Sequence, residues 1–255
     1  MDNTMTSLTI NGIAAEAQKG QTVLQVARDM DIDIPTLCHH EALLPYGACR
    51  LCVVEVQKGA RTRIVTSCNY PAENGIAVQT STERVHAVRR LVVELLLARC
   101  PNVKVIRELA EAYGLEEPRF KKGNNFCILC GQCVRVCREV VGAEAIGFAS
   151  RGVNREVAPP FFDPAKQCIG CGSCVYICPT GIITMEDVKN AQYHYPGGGY
   201  AMGSQRIMHN WKQTFRMAEC KSCGKPFMPQ VQIDFMAEKY QIPREELVVC
   251  KTCRP

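Results

Sequence analysis

Sixteen of the 17 cysteines in this 255-residue chain fall into four groups of four, and a chain so arranged has to fold around the points where its sulfurs meet. The groups are Cys38, Cys49, Cys52 and Cys68; Cys127, Cys130, Cys133 and Cys137; Cys168, Cys171, Cys174 and Cys178; and Cys220, Cys223, Cys250 and Cys253. Only Cys100 is left over. Disulfides would need an oxidising compartment, and C-x2-C pairs close loops too short to staple a fold efficiently. The opening stretch MDNTMTSLTI has no basic segment followed by a long apolar run, so nothing in it suggests export. Metal-bound thiolates in a reducing cytoplasm are the expectation.

Composition points the same way. A chain of this length allows two or three small domains, each too small to rest on a large apolar core, so metal sites would supply the missing stability. The formal charge of +5 counts every thiol as neutral. If each four-thiolate site with its metal carries about −2, the total falls to about −3, and a nucleic-acid partner loses its electrostatic support. No apolar stretch approaches the ~20 uncharged residues of a membrane span; the most apolar run, Leu91 to Ala98, contains Glu94.

The first 80 residues read as a β-grasp domain. Apolar Leu8, Ile10, Ile13 and Ala15 alternate around Asn11-Gly12, a hairpin signal. Thr22 can cap a helix carrying Val23, Leu24, Val26 and Ala27 and ending near Met30, and Leu51–Val56 and Thr62–Thr66 read as strands. Cys38, Cys49 and Cys52 share one long loop and Cys68 follows the next strand, giving C-x10-C-x2-C-x15-C. The last three match the general spacing of plant-type ferredoxins, while the first gap is longer. Gly47 and Ala48 would let backbone amides approach a 2Fe-2S cluster and donate to its sulfurs. His39 and His40 beside Cys38 are read as loop histidines, since four cysteines already complete the coordination.

The stretch GQTVLQVARDMDIDIPTLCHHEALLPYGACRLCVVEVQ, continuing to SCNYPAENGIAVQT, resembles the amino-terminal 2Fe-2S domain of the large iron-sulfur subunit of respiratory NADH dehydrogenase (complex I). It also resembles the small ferredoxin-like subunit of NAD-linked hydrogenases, over residues 20 to about 98. Residues 81–119 are read as a helical connector, with Thr80 and Glu83 forming a capping box, an apolar stripe of Val85, Val88, Leu91, Val92, Leu95 and Leu96, and a second helix from Val103 to Tyr113. The resemblance implies a further 4Fe-4S cluster here, held by one His and three Cys. This chain has only Cys100, so that cluster is expected to be missing and Cys100 to be a small buried or half-exposed residue. His86 reads as a helix-surface residue.

Residues 120–187 carry the bacterial ferredoxin run twice, C-x2-C-x2-C-x3-C, the copies offset by 41 residues and Pro179 closing the second. In that pattern the fourth cysteine of each run ligates the other cluster. Cys127, Cys130, Cys133 and Cys178 are therefore assigned to one 4Fe-4S centre, and Cys168, Cys171, Cys174 and Cys137 to the other. Arg138 stands where the first run would have its proline, as a tuning charge or as a solvated one. The insert from Val141 to Phe162 is expected to form strand pairs. Residues 188–215 read as a linker, its stretch YHYPGGGYAMG as linker or surface-hugging loop, and Gly197 to Gly199 do not make a nucleotide cradle. Residues 216–255 hold two C-x2-C knuckles 26 residues apart, which suggests a zinc-ribbon-like module, with zinc preferred over a further iron-sulfur cluster and a short helix near Pro243.

The resulting expectation is an α+β protein that relays electrons through one 2Fe-2S and two 4Fe-4S clusters and carries a structural metal in its tail. No Rossmann fingerprint, flavin motif or nickel-type cysteine pair is seen, so no catalytic residue is assigned. The resemblance implies partner chains: a flavin and NAD(P)-binding subunit on one side, and on the other a hydrogenase subunit, or the equivalent in a formate dehydrogenase or complex I-like enzyme. A freestanding ferredoxin-like carrier is the alternative.

Overall fold

The computed structural model describes residues 5–194 and 200–254, which divide into two compact units, one ending at Gln132 and one beginning at Cys133. In the first unit, β1 (Thr6–Ile10) and β2 (Ile13–Ala17) form the hairpin expected at Asn11-Gly12. Both turn residues have positive φ, 53° and 82°, the combination that Asn-Gly supplies. Helix α1 (Val23–Asp29) begins at Thr22, whose hydroxyl accepts from the Gln25 amide while the Gln25 side chain accepts from the Thr22 amide. Strands β3 (Val53–Lys58), β4 (Arg61–Thr66) and β5 (Ala77–Gln79) complete a five-stranded sheet of order β2-β1-β5-β3-β4, with β1 parallel to β5. The buried side chains of α1 pack on this sheet with Leu8, Ile10, Val54, Val56 and Val78, and the core includes Cys52 and Cys68.

Helices α2 (Glu83–Arg99) and α3 (Lys104–Ala112) follow, and here the expected details shift. The cap of α2 is Thr82, which accepts from the Val85 amide; Thr80 is instead engaged by Asn11, which bonds it through both side chain and backbone. The buried face is Val85, Arg89, Val93, Glu94, Leu97 and Ala98, while Leu91 and Leu95 point outward. Polar partners distant in sequence cause the rotation: Arg89 Nη2 donates to the Val53 carbonyl at 2.8 Å, and Glu94 accepts from the Arg119 amide and guanidinium at 2.7–2.8 Å. Hydrogen bonds from Arg119 hold the Glu94 carboxyl down to about 2. Because this value lies below the ordinary 4.5, the stabilisation is complete above pH 4.5 and is lost as pH falls through about 2. Glu94→Gln is accordingly expected to lower the thermal midpoint by a constant amount above pH 4.5 and by a shrinking amount below it; a cost that did not change with pH would contradict the ion pair.

In the second unit, helical residues through Arg135 in α4 (Gln132–Arg135) run into a π-helix, Val136–Val141, that carries Cys137. The insert forms a strand pair, β6 (Gly147–Ala149) with β7 (Glu156–Ala158). After the short α5 (Ser173–Tyr176), residues expected to be linker instead form a sheet. Strands β8 (Met185–His194), β9 (Tyr200–Met208), β10 (Gln213–Glu219) and β11 (Pro226–Pro229) pair in the order β11-β10-β9-β8. Gly197 to Gly199 lie outside the described residues. The tail adds α6 (Gln230–Tyr240) and, after Pro243, α7 (Arg244–Leu247). Among the described residues no helix is long and apolar enough to cross a membrane.

Candidate iron-sulfur and metal sites

The loop between α1 and β3 brings three cysteines to the end of β4, where Cys68 follows the strand. Cys38, Cys49, Cys52 and Cys68 are all buried, and their sulfurs interact with one another. The Cys49 amide donates to Cys38 Sγ at 3.3 Å, and the amides of Leu51 and Leu37 point at Cys49 Sγ. A hydrogen bond from Cys38 holds the Cys49 thiol down to about 6, and one from Cys68 holds Cys52 at about 7, while Cys38 and Cys68 are pushed up. Amides aimed at sulfur stabilise thiolate, the form that binds metal. Gly47 lets this loop lie close against Asn69: its φ is +72°, and a Cβ there would meet Asn69 Nδ2 at 2.9 Å. The Ser67 hydroxyl and amide both donate to the Cys52 carbonyl, fixing the last two ligating positions relative to each other. The donor set and its amides fit a four-thiolate iron-sulfur group.

His40 Nδ1 accepts from the Ala42 amide, a loop role. Cys100 is fully buried among Val93, Leu97, Val103 and Ile106, where burial pushes its thiol up to about 11. His86 bonds Ser81 on the helix surface.

In the second unit, Cys137, Cys168, Cys171 and Cys174 line one small cavity together with Ala145, Ile146, Met208 and Trp211. The fourth cysteine of the first run thus lies with the first three of the second. Ala145 donates its amide to Cys137 Sγ at 3.3 Å, and burial pushes the Cys168 and Cys174 thiols up to about 11 and about 12. Cys133 and Cys178 belong to the same apolar core, and Cys178 Sγ is 3.4 Å from Thr180 Oγ1. Cys127 and Cys130 lie in the first unit, where Arg99 bonds the Cys127 carbonyl at 2.9 Å. The Arg138 side chain is 57% exposed and pairs with Glu139 at 3.1 Å, so its charge is solvated and matched.

The sulfurs of Cys220, Cys223, Cys250 and Cys253 all lie within 4.8 Å of one another. The two knuckles are alike: the Gly224 amide bonds the Cys220 carbonyl at 2.8 Å, and the Arg254 amide bonds the Cys250 carbonyl at 3.1 Å. Cys250 also donates its amide to Cys220 Sγ, which holds that thiol down to about 6.

Two residues of chemical consequence escaped the sequence reading, Arg206 and Trp211, both in the segment taken for linker. The fact that Trp211 is the chain's single tryptophan was the available signal.

Comparison with known proteins finds iron-sulfur domains in this chain. A family of 2Fe-2S iron-sulfur cluster binding domains matches residues 3–83, and a 4Fe-4S dicluster domain matches residues 167–226. The G 2 chain of the NADH-quinone oxidoreductase of Rhizobium meliloti is 33% identical over 70% of this chain and 24% of its own length. The alpha chain of the NADPH-Fe(3+) oxidoreductase of Geobacter sulfurreducens is 35% identical over 72% of this chain and 24% of its own length. For the HndD chain of the NADP-reducing hydrogenase of Solidesulfovibrio fructosivorans the identity is 32%, over 70% and 36%. The chain therefore spans about a quarter to a third of the length of these relatives. Among solved structures, a chain of an NAD+-reducing NiFe-hydrogenase in the H2-reduced state is 31% identical with a TM-score of 0.54, covering 61% of this chain and 75% of that one. This chain belongs to the family of iron-sulfur subunits shared by NAD(P)-linked hydrogenases and NADH-quinone oxidoreductases.

Proposed function

We propose that this chain is a non-catalytic electron-relay subunit of a multisubunit NAD(P)-linked oxidoreductase, most simply a soluble cytoplasmic hydrogenase. Cys38, Cys49, Cys52 and Cys68 would hold a 2Fe-2S cluster. Cys127, Cys130, Cys133 and Cys178 would hold one 4Fe-4S cluster, and Cys168, Cys171, Cys174 and Cys137 the other. Clusters so bound supply reversible one-electron storage. The protein's own contribution is to bury the thiolates, aim amides at them and keep water away, as the Cys49 and Ala145 amides and the apolar surroundings do. The observation that carries the reading is the gathering of Cys137 with Cys168, Cys171 and Cys174 around one small cavity, the fourth cysteine of one run with the first three of the other. Partners would be a flavin and NAD(P)-binding subunit and a subunit that oxidises hydrogen or a comparable donor; relatives of both hydrogenase and NADH-quinone oxidoreductase type support this class of assembly.

The tail would hold one zinc ion. A tetrahedral ion with metal–sulfur bonds of ~2.3 Å sets its sulfurs ~3.8 Å apart, and Cys223 Sγ lies 3.9 Å from Cys250 Sγ. A cube of four irons and four sulfides puts several atoms between its thiolates and would spread them farther. Elemental analysis of anaerobically prepared protein is expected to give about ten iron and one zinc per chain. A result of about fourteen iron and no zinc would make the tail a fourth cluster.

A further inference from the structure

We propose that Trp211 is a positioning residue for the group held by Cys137, Cys168, Cys171 and Cys174, donating its indole N–H to Cys174 Sγ and closing the cavity against water. The inference rests on the cluster assignment above and goes beyond it, since no cysteine spacing implies a tryptophan.

The turn His209–Trp211 joins β9 to β10 and presents the indole, 5% exposed, to the cavity that the four cysteines line. The indole lines the same small cavity as Cys174, and its N–H works against burial to hold the Cys174 thiol down; Met208, 1% exposed, lies beside it in the lining. An indole N–H only donates, so its one polar act here is toward a thiolate.

The neighbouring residues hold this turn against the segments that flank the cysteine run. Asn210 accepts from the Thr184 amide at 2.9 Å and donates to the Ile182 carbonyl at 3.1 Å. The His209 amide bonds the Thr184 carbonyl, and Gln213 Nε2 donates to the Ala165 carbonyl at 2.8 Å. Within the sheet, Arg206 makes a bidentate pair with Asp187 at 2.7 and 2.8 Å and uses its Nη1 on the Gly170 carbonyl, between Cys168 and Cys171. Gly170 has φ +64°, and a Cβ there would meet the Phe215 ring at 2.7 Å, so the cysteine loop and β10 are in direct contact. The sheet of the former linker is thus a support for one cluster site, and Trp211 is its point of contact with the ligand sulfurs.

A donor to a ligand sulfur favours the more negative, reduced state, so its removal makes reduction harder. The test is a redox titration of the full chain, anaerobically loaded, monitored by electron paramagnetic resonance. The signal belonging to this site is identified by its loss in Cys171→Ala. In Trp211→Phe that signal is expected to shift to lower potential while the other 4Fe-4S and the 2Fe-2S signals stay in place. Replacing Trp211 with 3-benzothienylalanine, which keeps the bicyclic shape and removes only the N–H, should give the same direction of shift even if Trp211→Phe loads poorly. Because the chain has one tryptophan, indole emission is a second readout, and it should be quenched in wild type when the cluster is loaded and recover in Cys171→Ala. An unmoved signal in the benzothienyl variant with iron content unchanged, or an equal shift of all signals, would overturn the role of Trp211. A wild-type chain that binds no iron at Cys171 would instead overturn the cluster assignment.

Discussion

Cys223→Ser is expected to empty the tail of its metal and unfold residues 220–254 while leaving about ten irons in place. The module has little else to hold it: its apolar cluster is built around Ala218, Ile233 and Leu247, with Phe227, Met228 and Met236 packed on them. Binding free energy at a structural zinc, about 10–16 kcal/mol in small modules, is folding free energy. Removing one of four sulfurs that lie within 4.8 Å of one another therefore removes most of what keeps the knuckles closed. Zinc analysis and limited proteolysis check the expectation: zinc should fall from one to none, with new cleavage confined to the tail. Assembly with partner chains should weaken before any cluster potential changes. A variant that stayed folded and assembled yet no longer passed electrons would make the tail a redox relay.

Cys52→Ala should have the largest effect on function. Cys52 is 1% exposed and sits in the core of the first sheet beside Val54 and Cys68, so no neighbouring side chain can replace its sulfur. Iron should fall from about ten to about eight per chain. In the assembled enzyme, electron flow between the two partner reactions should be abolished, while each partner's half-reaction with artificial dyes continues, because the relay is cut and the catalysts are intact. Retention of the full coupled rate would remove this site from the path.

What could be read from the sequence was what local chemistry decides. Asn11-Gly12 sets its hairpin through the left-handed conformations those two residues tolerate, and Thr22 caps α1 with a partner three residues away. The cysteine spacings were legible for the same reason, since a metal dictates them at short range. The buried face of α2 was not, because Arg89 and Glu94 look like surface residues until Val53 and Arg119, 36 and 25 positions away, arrive to satisfy them. Residues 185–215 concealed a sheet behind glycine and charge. Asp187 and Arg206 are a cross-strand pair, and the pairing becomes visible only when β8 meets β9. With the sheet went Trp211, whose role depends on a turn placed by the contacts of Asn210 and Gln213.

The central claim, three one-electron centres and an inert tail metal, is tested most directly by coulometric reduction of the anaerobically loaded chain. The account predicts uptake of about three electrons per chain in wild type, about two in Cys52→Ala and about three in any Cys223→Ser that retains its iron. Uptake of about four in wild type, falling to three in Cys223→Ser, would show a redox centre in the tail, and uptake of one or none would contradict the relay itself.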